Sequence, residues 1–333
     1  MQIRDNSMAL GLDAETGRQR QQALRLEQSA RAAWLYYVGG RTQDEIAAEL
    51  GVSRQVVQRL VSRAVSEKLI KFRIDHPIAS CLEQAARLID RYGLVECEVV
   101  PCSAAGINPV RGIAIAGATY LERWFARPRG ATIGFSTGRT LRAVAAETSP
   151  VEATQHRIFS LCGTMSRDGR ASPFEVVLRF ADLTGGECFP MPLPVVASTV
   201  EERILLQDQR PFQRLRQLAQ TAGLFVLGIG TVGWGAPLHK DGFLVEAELH
   251  QLLTAGAVGE LASWPFDAQG VLIENGVSER MTALGPDPLP GRTIMGMAGG
   301  IEKVPAIRGA LRGRLVNALI TDELTAAALL TEA

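Results

Sequence analysis

A chain of 333 residues, 47% of them hydrophobic and 21% charged, can bury a large core, and two domains are the natural expectation. Equal numbers of basic and acidic residues, 35 of each, exclude a globally basic nucleic-acid binder. The average hides an asymmetry, because residues 18–76 hold eleven Lys/Arg against six Asp/Glu while the body from Pro77 is mildly acidic.

Residues 1–22 are polar, lack the apolar core of a signal peptide, and are expected to form an N-terminal tail. A helix-turn-helix domain is then expected over 23–76. Ala30, Ala33, Trp34 and Tyr37 follow helical spacing as a buried stripe, ended by Gly39-Gly40. Thr42-Gln43-Asp44-Glu45 matches a capping box, and Ile46, Ala47 and Leu50 give the second helix its apolar face. Gly51 suits a left-handed turn, and Ser53 caps a third helix.

On that third helix Val57, Leu60, Val61 and Ala64 form one stripe. Gln55, Gln58, Arg59 and Ser62 form another, flanked by Arg54 and Arg63, with no acid between Ser53 and Val65. An exposed amphipathic helix can carry Arg and Gln for solubility alone. The capped preceding helix, the turn glycine and the local positive charge point instead to a helix that enters the major groove, where Arg pairs with guanine and Gln with adenine. LIKFRIDHP then alternates like a short wing whose Lys71 and Arg73 can touch phosphate. The candidate DNA-contacting set is Thr42, Ser53, Arg54, Gln55, Gln58, Arg59, Ser62, Arg63 and Lys71, and the expected partner is double-stranded DNA.

The body, 77–333, alternates helix and strand. Helices are expected at Leu82–Tyr92, Arg139–Glu147, from Ser172-Pro173 to Leu183, Val200–Gln207, Phe212–Thr221, Val304–Leu311 and Asp322–Leu330. Strands are expected at Val95–Val100, Ala131–Phe135, Arg157–Leu161, Val195–Ser198, Leu224–Leu227, Thr293–Met297 and Val316–Ile320. The fold class is α/β: a (winged) helix-turn-helix domain followed by a doubly wound, mostly parallel sheet whose ligands gather at the carboxyl ends of its strands. Gly223–Leu238, 16 uncharged residues with five glycines, is too short and glycine-rich to span a bilayer, so no membrane partner is expected.

Three segments of the body suggest chemistry. Ser136-Thr137-Gly138-Arg139-Thr140 opens a helix after a strand, where amides, hydroxyls and a guanidinium can meet an anion, or where an ordinary capped turn can sit. GIGTVG, Gly228 to Gly233, fits a dinucleotide fingerprint in letters only, because Trp234-Gly235-Ala236-Pro237 resists the helix that must follow. Those glycines suit a tight loop at a strand end. Lys303 falls in the first turn of a helix, against the dipole's preference for acids, so it either points at a bound anion or is simply solvated. Glu260 can accept hydroxyl hydrogen bonds from a polyol, start a helix, or pair with a base.

The five cysteines lack a C-x-x-C pair and the four histidines are dispersed, so no disulfide framework, metal or cofactor is expected and the compartment reads as cytoplasmic. No nucleophile elbow or spaced carboxylate pair stands out, so no catalytic residue is assigned.

TQDEIAAELGVSRQVVQRLVSRAVSEKLI, GFSTGRTL, GIGTVG, VGELASWPFDAQG, AGGIEKVPAIRGALRG and LVNALITDELTAAALL, in this order, resemble the SorC/DeoR-type bacterial transcriptional regulators with a sugar-binding C-terminal domain. The resemblance spans about Ser29 to Leu330. It implies a homo-oligomer, often a tetramer, that binds palindromic operators and responds to a small sugar, sugar-phosphate or polyol effector. It also implies a C-terminal domain like the sugar-phosphate isomerase and deaminase fold without its catalysis, with pocket positions at Gly134, Arg139, Thr140, Gly163, Glu260 and Lys303. The sequence departs from many relatives at Thr137 and at Asp267-Ala268-Gln269-Gly270, which leaves room for an unphosphorylated polyol. With the residues read directly, the candidate effector set is Gly134, Ser136, Thr137, Gly138, Arg139, Thr140, Gly163, Gly228, Gly230, Glu260 and Lys303. The competing reading is a sugar-phosphate isomerase or deaminase enzyme carrying a DNA-binding module, with Lys303 in an acid/base or Schiff-base role.

Overall fold

The computed structural model describes residues 6–67, 69–70, 78–102, 109–274, 276–285 and 291–331. The chain divides into two compact units, Met1–His76 and Pro77–Ala333.

Among its described residues the first unit holds three helices, α1 (Asn6–Tyr37), α2 (Gln43–Leu50) and α3 (Arg54–Ser66). The expected tail is therefore helical from Asn6, continuous with the first helix of the DNA-binding unit. Its buried stripe is also shifted from the expected one. Ser29, Ala32, Ala33 and Leu35 are buried, whereas Trp34 and Tyr37 are exposed. The reason is the partner surface: Ala32 and Leu35 meet Ile46 of α2 and Val57 and Val61 of α3, and that small core selects the face of α1. Between α1 and α2 the capping box forms, with Thr42 N–H donating to Glu45 Oε2 (2.8 Å) and Glu45 N–H donating to Thr42 Oγ1 (3.3 Å). Gly51 ends α2 at φ 64°, a left-handed turn that glycine adopts without steric cost.

The second unit opens with α4 (Ala79–Tyr92), β1 (Glu96–Val100), α5 (Val110–Phe125), β2 (Thr132–Phe135), α6 (Arg139–Glu147) and β3 (Arg157–Ser160). It continues with α7 (Val177–Thr184), β4 (Glu187–Phe189), α8 (Val200–Gln207), α9 (Arg210–Thr221) and β5 (Leu224–Thr231). Then follow α10 (Pro237–Lys240), α11 (Glu246–Thr254), and a hairpin of β6 (Gly259–Leu261) and β7 (Trp264–Phe266). The unit closes with β8 (Thr293–Met297), α12 (Val304–Arg312), β9 (Ala318–Asp322) and α13 (Glu323–Leu330).

Seven strands pair in parallel in the order β1-β9-β8-β5-β2-β3-β4. Side-chain alternation along β5 shows how both faces are covered. Leu224 and Val226 join a core with α5, α6 and α7, while Phe225 and Leu227 join the opposite core with α4, α9, α12 and α13. The architecture is the doubly wound α/β layer arrangement. No helix among the described residues is long and apolar enough to cross a membrane.

Three expectations are corrected here, and a fourth cannot be placed. The strand expected at Leu224–Leu227 runs on to Thr231, and its far end pairs antiparallel with β6. The strand expected at Val195–Ser198 is reduced to isolated bridges such as Val196 with Met281, since Pro190, Pro192 and Pro194 remove ladder donors just before it. The helix expected from Ser172 starts only at Val177. Residues 172–174 are committed elsewhere: Ser172 N–H donates to Thr164 O (2.6 Å) and Phe174 O accepts from Gly138 N–H (3.2 Å). Finally, the wing expected around Lys71 and Arg73 lies outside the described residues.

Replacing Thr42 by Ala removes both the side-chain acceptor for Glu45 N–H and half of the box. A loss of about 1 kcal/mol is expected for the helix-turn-helix unit, read as a lower urea midpoint for the transition of that unit. An unchanged midpoint would show that the box is ornamental.

Candidate functional site

The exposed face of α3 collects most of the candidate DNA contacts. Arg54, Gln55, Gln58, Arg59, Ser62 and Arg63 are all exposed, while Val57, Val61 and Ala64 are buried beneath them. Ser53 caps the helix by accepting from Val56 N–H (3.4 Å) and Thr42 caps α2, so these two act first on helix geometry. Arg54 approaches Asp44 at 3.5 Å across exposed surface, a weak pairing that DNA phosphate can replace. Arg59 donates from Nε to Gln55 O (3.4 Å), which leans its side chain along the helix. Lys71 lies outside the described residues.

The second unit carries a cavity of about 250 Å³ at the carboxyl ends of β2, β5 and β8. Of the eleven candidate effector residues, Thr137, Gly138, Arg139, Thr140, Gly228, Gly230, Glu260 and Lys303 line it. Ser136 stands behind the wall, where its Oγ accepts from Gly228 N–H (3.1 Å) and ties the β2 turn to β5. Gly134 and Gly163 are not brought to the cavity. A side chain at Gly134 would meet the Phe159 ring at 2.7 Å, and one at Gly163 would meet the carbonyl oxygens of Leu193 and Pro194 at 2.5 Å. Both positions serve close packing.

The turn before α6 is set by Gly138, whose φ of 142° lies outside the range of ordinary side chains. It delivers Arg139 to the cavity, where the guanidinium donates from Nη2 to both carboxylate oxygens of Asp241 (2.9 and 3.1 Å) and sits over the Phe174 ring, 4.3 Å from its centroid. Sequence reasoning missed Asp241, Phe174, Ser172 and Ser263, all of which line the cavity. Nothing in the letters singles out Asp241, and it reaches Arg139 from 102 residues away.

Glu260 is carried by β6, not by a helix. Gly230 pairs with Glu260 in register, and a Cβ at Gly230 would fall 2.0 Å from Glu260 Oε1. The glycine thus leaves the space that the carboxylate occupies. Glu260 Oε2 accepts from Ser263 N–H (2.9 Å), and Ala262 and Ser263, at φ 48° and 75°, form the tight turn into β7. Two consecutive left-handed non-glycine residues are strained by about 1–3 kcal/mol each, which marks the hairpin tip as a place where geometry outranks comfort. Lys303 donates to Ile229 O (3.1 Å), a carbonyl of the same β5 extension.

Burial pushes the Glu260 carboxyl above its ordinary range, opposed by the Ser263 N–H and the Lys303 charge. Burial also lowers the Lys303 ammonium, opposed by Glu260 and Glu302 and reinforced by Arg139. Among the described residues, no group of three or more His, Cys, Asp or Glu is placed to hold a metal ion. The GIGTVG glycines Gly228 and Gly230 lie within β5, and the short α10 starts only at Pro237, so the phosphate-cradling turn of a dinucleotide site does not form.

Residues 76–331 match the family model described as "Putative sugar-binding domain", and residues 29–77 match the MarR family model. The erythritol catabolism regulatory protein EryD of Brucella abortus is 36% identical over 90% of this chain and 95% of its own length. The chain belongs to the SorC/DeoR-type family of sugar-binding transcriptional regulators. Within this family the deoxyribonucleoside regulator of Bacillus subtilis is 30% identical over 91% of this chain and 97% of its own length. The full-length sorbitol operon regulator SorC from Klebsiella pneumoniae shares the fold, with a TM-score of 0.69 over 92% of this chain and 98% of its own at 24% identity. As a family member the chain is a DNA-binding transcriptional regulator with a sugar-binding domain and not an enzyme.

Two outcomes follow from the packing of Glu260. At Gly230 an added methyl meets only the movable end of the Glu260 side chain, whereas at Gly163 it meets backbone. Gly163→Ala is therefore expected to cost about 1–3 kcal/mol and Gly230→Ala clearly less, while only Gly230→Ala displaces the carboxylate. Chemical denaturation of both variants checks the order, and a reversed order would remove the account. The second outcome concerns pH. A raised carboxyl pKa means the folded state holds its proton more tightly than the unfolded state, so the group's contribution is lost as pH climbs through the folded value. Glu260→Gln is expected to melt higher than the parent at mildly alkaline pH, with the gap closing below the ordinary carboxyl value of 4.5. A gap independent of pH would contradict the assignment.

Proposed function

We propose that this regulator controls a carbohydrate or polyol catabolic operon and that a small sugar, sugar phosphate or polyol, bound against Arg139, Glu260 and Lys303, sets its affinity for operator DNA. The observation that carries this reading is the balance of charge in the cavity. Arg139 and Lys303 face Asp241 and Glu260, and the Asp241 carboxylate, held through Arg139 Nη2, offsets the guanidinium charge. Such a wall offers both acceptors and donors to hydroxyl groups, and a dianionic phosphate would meet Asp241 and Glu260 as like charges. Within the proposed effector classes, a neutral polyol is therefore favoured. Similarity to a regulator named for erythritol catabolism supports the same choice.

On the DNA side, Gln55, Gln58 and Arg59 read base edges from the exposed face of α3, while Arg54, Arg63 and Lys71 meet phosphate. A single helix-turn-helix reads too few bases for tight binding, so a homo-oligomer, a tetramer in the full reading, works in the cytoplasm on paired half-sites. Exposed Leu24 and Trp34 on α1 offer apolar surface for pairing copies. The effector acts by binding two arrangements of the oligomer unequally, which shifts the spacing of paired recognition helices.

A thermal-shift screen against sugars, sugar alcohols and their phosphates tests the cavity, since a ligand of the native state raises the melting temperature. Stabilisation by free polyols is expected, and stabilisation by phosphates alone would overturn the preference for a neutral ligand. Arg59→Ala is expected to weaken operator binding by roughly tenfold or more, the size of one base-reading contact, with the ligand shift intact. Lys303→Ala is expected to keep operator binding and lose the effector response. Unchanged operator affinity in the first variant, or a normal dose-response in the second, would remove that residue from its role.

A further inference from the structure

The second unit holds another cavity, larger than the first at about 490 Å³, at the amino-terminal end of β5 and β8 beside α9. Of the segments that carry the family resemblance, only Trp264 reaches it. Its walls include Arg203 on α8, Arg216 on α9 and Arg292 just before β8, and no acidic residue is among the described residues that line it. Leu272, Ala283 and Leu284 give it an apolar lining.

The polar groups there are held in place as a built site would hold them. Arg292 is 5% exposed, lies over the Phe225 ring at 4.2 Å, and donates to the carbonyls of Ala222 (3.1 Å) and Ala219. Arg203 donates from Nη1 to Gln207 Oε1 (2.9 Å), and Gln207 is itself tied to Thr282 O (3.3 Å).

We propose that this cavity is a second ligand site, for a phosphomonoester carried on a small apolar or aromatic body. The apolar part rests on Leu272 and Leu284, and the dianionic group meets Arg203 and Arg216. The chemistry is the reverse of the first cavity, where acids balance bases. One protein thus carries a neutral wall suited to hydroxyls and a cationic wall suited to an anion.

The test uses the full-length protein and phenyl phosphate as probe, followed by tryptophan fluorescence and by calorimetric titration, with phenol and inorganic phosphate as the two halves of the probe. Saturable binding of phenyl phosphate, tighter than that of either half, is expected. Arg203→Ala and Arg216→Ala are each expected to weaken it by about tenfold or more, Arg203→Lys by less, and Lys303→Met not at all. Trp264→Phe is expected to remove most of the fluorescence change. Circular dichroism and melting of each variant confirm that it is folded. Absence of saturable binding overturns the proposal, as does binding that survives both arginine variants. Binding lost in Lys303→Met but kept in Arg203→Ala assigns the probe to the first cavity and overturns it too. A change in oligomeric state in Arg216→Ala, with probe affinity unchanged, makes this face a contact between copies and overturns the ligand site.

Discussion

The sensing half of this protein depends on how the extension of β5 beyond its parallel neighbour is satisfied. Residues Ile229 to Thr231 run past the last pairing of β5 with β8, and their backbone groups need partners that the parallel sheet no longer supplies. The β6–β7 hairpin pairs antiparallel with this stretch, and the Lys303 ammonium takes the Ile229 carbonyl. Both solutions bring a charge to the same place. Glu260 arrives on the hairpin, Lys303 arrives after β8, and the absence of a side chain at Gly230 gives the carboxylate its room. The cavity between them is thus a by-product of terminating a strand correctly.

Around this pair the remaining polar groups are arranged to balance. Asp241 follows α10 and clamps Arg139, and Phe174 gives the guanidinium a flat surface to lie on. Residues 172–174 supply that surface at the expense of helix α7, which starts later than its sequence would permit. The hairpin tip makes the same trade, since Ala262 and Ser263 adopt positive φ in order to aim Ser263 N–H at Glu260. Local preference yields at several points around one cavity, which is where strain is expected to gather in a binding protein.

The DNA-binding unit follows a different logic. Its helices are started and stopped by their own residues, with Thr42 and Glu45 exchanging hydrogen bonds, Ser53 capping α3 and Gly51 turning the chain. Only a handful of apolar side chains hold the three helices together. The outer face of α3 is left exposed and free of acids, a surface shaped for a polyanion.

What the letters alone determined is what depends on neighbours in sequence. Caps and helical periodicity revealed α2 and α3, and alternation revealed most of the parallel strands, because both patterns repeat within a few residues. Helix α5 escaped notice since Gly112 and Gly117 weaken its signal, yet Gly117 is there because Met297 and Val144 press within 2.9 Å of where its Cβ would be. The stripe expected on α1 meets the buried face only at Ala33, because α2 and α3 decide which face is inside. Likewise Arg139, Glu260 and Lys303 were legible as unusual residues near strand ends, but Asp241, Phe174 and the hairpin that carries Glu260 were not. Their roles come from contacts across tens to more than a hundred residues, where no local preference leaves a mark and only the packed tertiary structure selects the partner.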